Sequence, residues 1–417
     1  MKKAIYTALM TGTLFITPAL AQQSVPTILI PKSDGPSGPL MPAVKAAPGT
    51  VFDVTRFGNA LTGRLGPVAT AYSWTIMQGG KPVASDGHGY ARTVKDGSRI
   101  HGPDVRQNVA SVSKTVTTVA VLQLLRLIGK NEDTKILNYL PPGWVAGPNV
   151  AGLSFADLLN HRTGFPNANN NSEALLNYAA MRAMVATGTS AAPPAPGRRP
   201  FDYRNVNFAL LRILLRRMYD QTGQKSEQFA RTMQDQLGEL GPVSNGLVYQ
   251  PAINNYFYAA WVQKKVFEPL GIAGTLCEDK SPTQTLYYNR GQTIAGEKSM
   301  GNNSWTNFCG SGGWYLSSKD LARLIGALRH SEILLPKDWS DKMMTKRFGL
   351  YRTIGAHGDD YSHAGVVGSG NQGGIYACAI RFSINVEAAL VVNTAMPAPF
   401  GSDPCAIVRN AFDDAWQ

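Results

Sequence analysis

The chain has 417 residues, and 40 Lys and Arg against 28 Asp and Glu give a formal net charge of +12. The basic residues are scattered and no basic–aromatic stripe occurs, so the charge serves solubility or attraction to anionic surfaces and marks no nucleic-acid partner. This length allows one large domain or two intimate ones.

Residues 1–21 read as a secretory signal peptide: a "MKK" start, a short apolar core and the small-x-small site Ala19-Leu20-Ala21. Gly12 and Pro18 interrupt the apolar stretch, which argues against a membrane anchor, and no later stretch is apolar enough to span a bilayer. Cleavage after Ala21 places the mature protein in the periplasm or outside the cell. Residues 22–48, rich in Pro, Ser and Gly, read as an extended leader. An amphipathic helix follows over about 51–65. Then "TAYSWTIM" and "PVASDGHGYA" flank "QGGK", a hairpin signal.

From Ser111 to about Met344 the pattern is helical. "SKTVTTVAVLQLLRLI" is apolar on all faces and predicts a buried helix, with Gly129 at its C-terminal end. Further helices are predicted from Ser154, over "YRNVNFALLRILLRRMYD", over "NNYFYAAWVQKKVFEPLGI" and over "SSKDLARLIGALRH", the last with Ser318 as N-cap. After about 350, "GGIYACAIRF" and "EAALVVNT" predict strands, and a final helix covers about 404–416. The expected fold is therefore α+β: an antiparallel sheet made from both ends of the chain, flanked by the N- and C-terminal helices, with a mostly helical domain inserted. The division is 49–110 with 346–417 for the sheet domain and 111–345 for the helical domain, the active site lying between them.

Cys277, Cys309, Cys378 and Cys405 lack metal-ligand spacing. In an oxidising compartment they allow three pairings, of which the sequence neighbours Cys277–Cys309 and Cys378–Cys405 are favoured over four buried thiols.

The chemistry concentrates at the mouth of the buried helix. Ser111 and Lys114 stand at i and i+3 and share a face. A serine hydroxyl needs a base or a field to become a nucleophile. The helix N-terminus supplies positive potential. A lysine among apolar side chains is pushed towards its neutral amine, which accepts a proton. Ser113, adjacent to Lys114, is the rival serine and faces elsewhere. Ser-x-x-Lys alone is a weak signal. Downstream, however, stand "YRN" at Tyr203-Arg204-Asn205 and "HAG" at His363-Ala364-Gly365, with "LLNHRTGF" (158–165), "VFEPLGI" (266–272) and "GSGGWYLSSKDLARLI" (310–325) interspersed.

In this order the motifs resemble the serine β-lactamase-like superfamily, in the branch of class C β-lactamases, D-Ala-D-Ala carboxypeptidases, D-aminopeptidases and family VIII esterases. The resemblance covers roughly residues 50–415 and implies the β-lactamase/transpeptidase-like form of the fold above. It implies Ser111 as acylated nucleophile, with Lys114 and Tyr203 sharing the base work. The Tyr203 phenol is expected to be acidified by the lysine ammonium. It further implies that Asn205, His363 and Gly365 bind substrate, and that the Ser111 and Val366 N–H groups form an oxyanion hole. No cofactor or metal is called for. Substrates would be a small ester or amide, or a peptide such as a cell-wall stem peptide. A class C-like β-lactamase and a non-catalytic wall-binding module are the alternatives. His-Ala-Gly departs from the Lys-Thr-Gly of the family: histidine is mostly neutral at pH 7 and Ala364 lacks a hydroxyl, which weakens recognition of a substrate carboxylate. His161 is expected to be a structural hydrogen-bonder, Arg204 to face solvent or an acid, and His357 and Asp359 to belong to the approach to the third motif.

Overall fold

The computed structural model describes residues 45–47, 50–166, 176–190, 199–237, 250–279, 281–289, 305–368 and 373–417. The predicted signal peptide, most of the leader, residues 191–198 of the insert before Tyr203 and residues 369–372 after His-Ala-Gly lie outside the described residues.

Two short paired strands, β1 (Lys45–Ala47) and β2 (Thr50–Val51), lead into α1 (Val54–Leu65). Asp53 caps that helix, its carboxylate accepting from the Thr55 and Arg56 N–H groups. β3 (Tyr72–Gln78) and β4 (Lys81–His88) form the predicted hairpin. Its two-residue turn puts Gly79 and Gly80 at φ 59° and 79°, left-handed angles that glycine adopts without steric cost. The short strands β5 (Tyr90–Arg92) and β6 (Arg99–Ile100) pair with each other, and β7 (Gln107–Asn108) pairs with β8 (Tyr315–Leu316).

The helical part begins with α2 (Ser113–Leu127). Residues 113–122 of it are all buried, as its apolar composition requires. α3 (Phe155–Leu159), α4 (Tyr178–Thr187), α5 (Asn205–Asp220), α6 (Ser226–Leu237), α7 (Gln250–Val262) and the one-turn α8 (Cys309–Gly312) surround it. Leu210, Leu211, Ile213 and Leu214 of α5 are fully buried, as their spacing predicts. α9 (Ser318–His330) and α10 (Lys337–Thr345) close this part. The cap of α9 is Ser317, not the predicted Ser318. Only Ser317 stands three residues before an acid, and it forms a reciprocal box with Asp320, each side chain accepting from the other's N–H at 3.1 Å. Ser318 is instead turned to the sheet, where its hydroxyl meets those of Thr75 at 3.0 Å and Ser73 at 3.2 Å.

The C-terminal strands β9 (Tyr351–Gly355), β10 (Gly358–Val367), β11 (Ile375–Arg381) and β12 (Val386–Val392) complete a six-stranded antiparallel sheet of order β4-β3-β12-β11-β10-β9. β12 pairs with β3 from Val386↔Gln78 to Val392↔Tyr72, so the two ends of the chain share one sheet, as predicted. α1 and the last helix, α11 (Cys405–Asp413), cover one face through Phe57, Leu61, Trp74, Ile380, Leu390 and Phe412. α9 covers the other face, where Met77, Ala377, Ala389 and Val391 join the core of the helical part. Both favoured disulfides form, with Cα–Cα distances of 5.5 Å for Cys277–Cys309 and 5.1 Å for Cys378–Cys405.

Candidate active site

Ser111 lies in a single 3-10 turn, Ala110–Val112, immediately before α2. Ala110 takes φ +46°, a left-handed angle rare outside glycine, so the chain turns sharply just ahead of the serine. Lys114 follows in the first turn of α2 and is wholly buried. Its Nζ lies 3.0 Å from Ser111 Oγ, 2.7 Å from Asn205 Oδ1 and 2.6 Å from the Ser311 carbonyl oxygen. Burial drives its pKa well below that of an ordinary lysine, favouring the neutral amine.

A neutral amine has two N–H groups and one lone pair. The Ser311 carbonyl can only accept, and Asn205 presents its carbonyl oxygen, so these two take the N–H groups. Ser111 is the partner left with a proton to give, and it faces the lone pair. The rival Ser113 is fully buried and its Oγ accepts from the Trp314 N–H at 3.1 Å, so it is held in the scaffold.

Tyr203 and Asn205 come from the join between an extended stretch and α5. Asn205 opens the helix, and Tyr203 precedes it. Lys114 Nζ lies 4.8 Å from the centre of the Tyr203 ring. Tyr203 leaves 39% of its surface open, and its hydroxyl lies near Ser111. The predicted acidification of the phenol is not what the environment produces. Burial raises its pKa above the ordinary value, and the nearby Ser111 hydroxyl offsets this only in part. The reason is the desolvation of the phenol itself, which disfavours the charged phenolate.

His161 holds this stretch in place. Its backbone C=O accepts from the Asp202 N–H at 2.8 Å, and its Nδ1 accepts from the Arg204 N–H at 3.0 Å. Its ring stacks on that of Tyr203, 4.3 Å between centroids. Since Nδ1 accepts, the proton of the neutral ring sits on Nε2, and burial with the nearby Lys114 holds the ring's pKa well below the ordinary range. The expectation of a structural hydrogen-bonder holds, but the ring also makes an unpredicted contact with Tyr203. Arg204 turns away to an ion pair with Asp202 at 2.6 Å, as expected.

The third motif lies on β10. β9 pairs with β10 only as far as Ser362, so residues 363–367 run past it and pack on the turn that carries Ser111. Gly365 makes this approach possible: a Cβ there would stand 2.2 Å from the Val109 carbonyl oxygen. Val366 is the next residue of the strand. His363 is only 1% exposed, and its Nδ1–H donates to the Gly349 carbonyl at 2.8 Å. Thr115 Oγ1 of α2 donates to that same oxygen at 2.7 Å, which ties the histidine to the serine helix. Burial and the proximity of Lys114 push the His363 pKa down to about 3, so its ring is neutral. His357 and Asp359 stand apart from this site: the former stacks on Trp416 and the latter pairs with Arg352.

A cavity of about 320 Å³ opens at Ser111. Ser311, Phe308, Trp305, Val366, Val367 and Asn205 are among its lining residues. Trp305 and Phe308 match none of the three motifs, so no sequence signal pointed to these aromatic lining residues. A larger hollow beside Phe229 and Lys265 contains no member of the motif set.

The Beta-lactamase family model matches residues 67–241. No curated protein sequence matches the chain. Among solved structures, an octameric penicillin-binding protein homologue from Pyrococcus abyssi superposes with a TM-score of 0.62 at 16% identity, over 86% of this chain and 76% of its own. The D-amino acid amidase of Ochrobactrum anthropi SV3, solved with L-phenylalanine amide, gives 0.59 at 16% identity over 86% and 99% of the two chains. A D-stereospecific amidohydrolase from Streptomyces sp. gives 0.58 at 17% identity over 86% and 98%. Residues 67–241 thus match the Beta-lactamase family model, and the chain shares the fold of the penicillin-binding protein homologue and the D-amino acid amidase.

Proposed function

We propose that the protein is a secreted serine hydrolase that cleaves an ester or amide through an acyl-enzyme. One observation carries this reading: a buried lysine, driven towards neutrality, with its nitrogen 3.0 Å from a serine oxygen at the floor of a cavity. Two disulfides support secretion, since such bonds persist in oxidising compartments.

In the first step Ser111 Oγ attacks the substrate carbonyl carbon and its proton passes to the Lys114 amine. The N–H groups of Ser111 and Val366 hold the developing oxyanion. Collapse breaks the bond to the leaving alcohol or amine, which takes a proton from Lys114 by way of the Tyr203 hydroxyl. Water then attacks the acyl-enzyme, giving its proton back along the same route and releasing the acid and Ser111. Asn205 holds Lys114 in place. His363, neutral and bonded to Gly349, fixes β10 against the serine turn.

The Beta-lactamase match favours a second reading, cleavage of a β-lactam. Intact mass after incubation with a fluorophosphonate and with a fluorescent penicillin separates the two. Fluorophosphonate labelling that Ser111→Ala abolishes supports the hydrolase reading. A penicillin adduct that forms and turns over to ring-opened product selects the β-lactamase. If neither reagent adds mass to the wild-type protein, the hydrolase reading falls.

A further inference from the structure

The cavity at Ser111 carries information about the acyl group. That group stays bonded to Ser111 through both half-reactions, so a concave space at this oxygen serves it. Trp305 and Phe308 meet edge to face, 5.2 Å between centroids, and line the cavity together with Val366 and Val367. Among the described residues, none that lines the cavity carries a charge.

A charged acyl group would need an opposite charge here, because an ion removed from water without a partner is strongly disfavoured. For a carboxylate the nearby basic groups are Lys114 and His363. Lys114 already has Asn205 and Ser311 as hydrogen-bond acceptors and faces Ser111. His363 is buried, with Nδ1–H on the Gly349 carbonyl. For an ammonium group, the lining offers hydroxyls, an amide and carbonyls but no carboxylate. The aromatic side is also built firmly. The Trp305 backbone N–H donates to the Cys277 carbonyl at 3.1 Å, and Phe308 adjoins Cys309, the other half of that disulfide.

We propose that this cavity is a subsite for an uncharged, apolar acyl group, aromatic or branched, with Trp305 and Phe308 as its specificity-determining residues. The proposal rests on Ser111 being the acylated residue.

The test uses p-nitrophenyl esters, each rate divided by that ester's own rate of alkaline hydrolysis. The 3,3-dimethylbutanoyl ester is compared with its cationic isostere, the trimethylammonioacetyl ester. The pentanoyl ester is compared with the anionic hemisuccinate, and phenylacetyl with acetyl. The neutral member of each charged pair is expected to win by at least about tenfold in kcat/KM, and phenylacetyl to exceed acetyl by about 10–200-fold. Trp305→Ala should bring the phenylacetyl-to-acetyl ratio close to one, and Trp305→Phe should keep most of it. Phe308→Ala gives a second reading of the same wall. Charged esters that match their neutral partners overturn the proposal, as does a ratio that neither alanine variant moves. Fluorophosphonate labelling is followed in the same samples. A wild-type protein that is labelled but shows no selectivity sinks the subsite alone; absence of both labelling and turnover in the wild-type protein sinks the hydrolase reading and the subsite with it.

Discussion

Lys114 decides the chemistry because burial sets its charge. At pH 7 the unfolded chain holds a proton on this lysine, and the folded chain disfavours it. The folded pKa is the depressed one, so Lys114 opposes folding at neutral pH and the opposition fades as pH rises towards the ordinary lysine value. Lys114→Met keeps the volume and removes the base. Its turnover of a p-nitrophenyl ester should fall by about 10²–10⁴, the usual weight of a general base. Its urea midpoint at pH 7 should stay level or rise, because no amine remains to be stripped of its proton. Equal activity in the variant would remove Lys114 from the mechanism. The residues that meet at Ser111 were legible in the sequence as motifs, because the proposed acyl transfer demands particular side chains at particular offsets. The charge state of Tyr203 was not, since it depends on how far the fold desolvates the phenol itself. The stacking of His161 on Tyr203 was equally hidden, since it arises only when two segments distant in sequence are folded together.

At the scale of elements, the site is a meeting of the 3-10 turn at Ser111, the start of α5 and the free-running end of β10. Gly365 sets the last of these contacts. Gly365→Ala would drive a methyl group to 2.2 Å from the Val109 carbonyl oxygen, so strand and turn must move apart. The Val366 N–H would then leave the oxyanion, and loss of one such donor lowers kcat by about 10²–10³. The β10–β11 ladder, seven registered pairs from Tyr361 to Val367, should keep the strand in the sheet. The expected result is a variant with a near-native circular dichroism spectrum and kcat reduced by that factor. Wild-type kcat would show that β10 contributes no donor. The periodicity of α5 and the glycine pair of the hairpin revealed those elements in the sequence. The cap of α9 was misplaced by one residue because two serines stand side by side, and only the position of Asp320 and the contact of Ser318 with Thr75 separate them.

For the whole molecule, buried neutral histidines and two disulfides set the conditions under which the site survives. His101 and His363 have folded pKa values pushed down to about 4 and about 3 by burial. Their stabilising neutral forms are fully present above pH 6.5 and are lost as pH falls towards 4 and 3, each at up to ~1.4 kcal/mol per pH unit. The urea midpoint should therefore drop between pH 7 and pH 4.5, and His101→Gln, at a ring bonded to Gln107, should lessen that drop. The disulfides span 32 and 27 residues, and closing loops of that size stabilises a fold by about 3–4 kcal/mol each. They differ in what else they hold. Cys309 begins α8, whose Ser311 carbonyl orients Lys114 and whose neighbour Phe308 walls the cavity. Cys378 lies opposite Ala364 on β11, but β10 is also held by its ladder and by Arg409, which donates to Ser362 Oγ at 2.8 Å and pairs with Asp360 at 2.9 Å. Replacing Cys277 and Cys309 by serine should cost stability and also lower kcat. Replacing Cys378 and Cys405 should cost similar stability with kcat retained. Urea melts and ester kinetics on both double variants, taken well below their melting points, check this. If both keep wild-type kcat, then the bonds from Thr117 and Tyr258 to the Gly310 and Cys309 carbonyls hold α8 on their own.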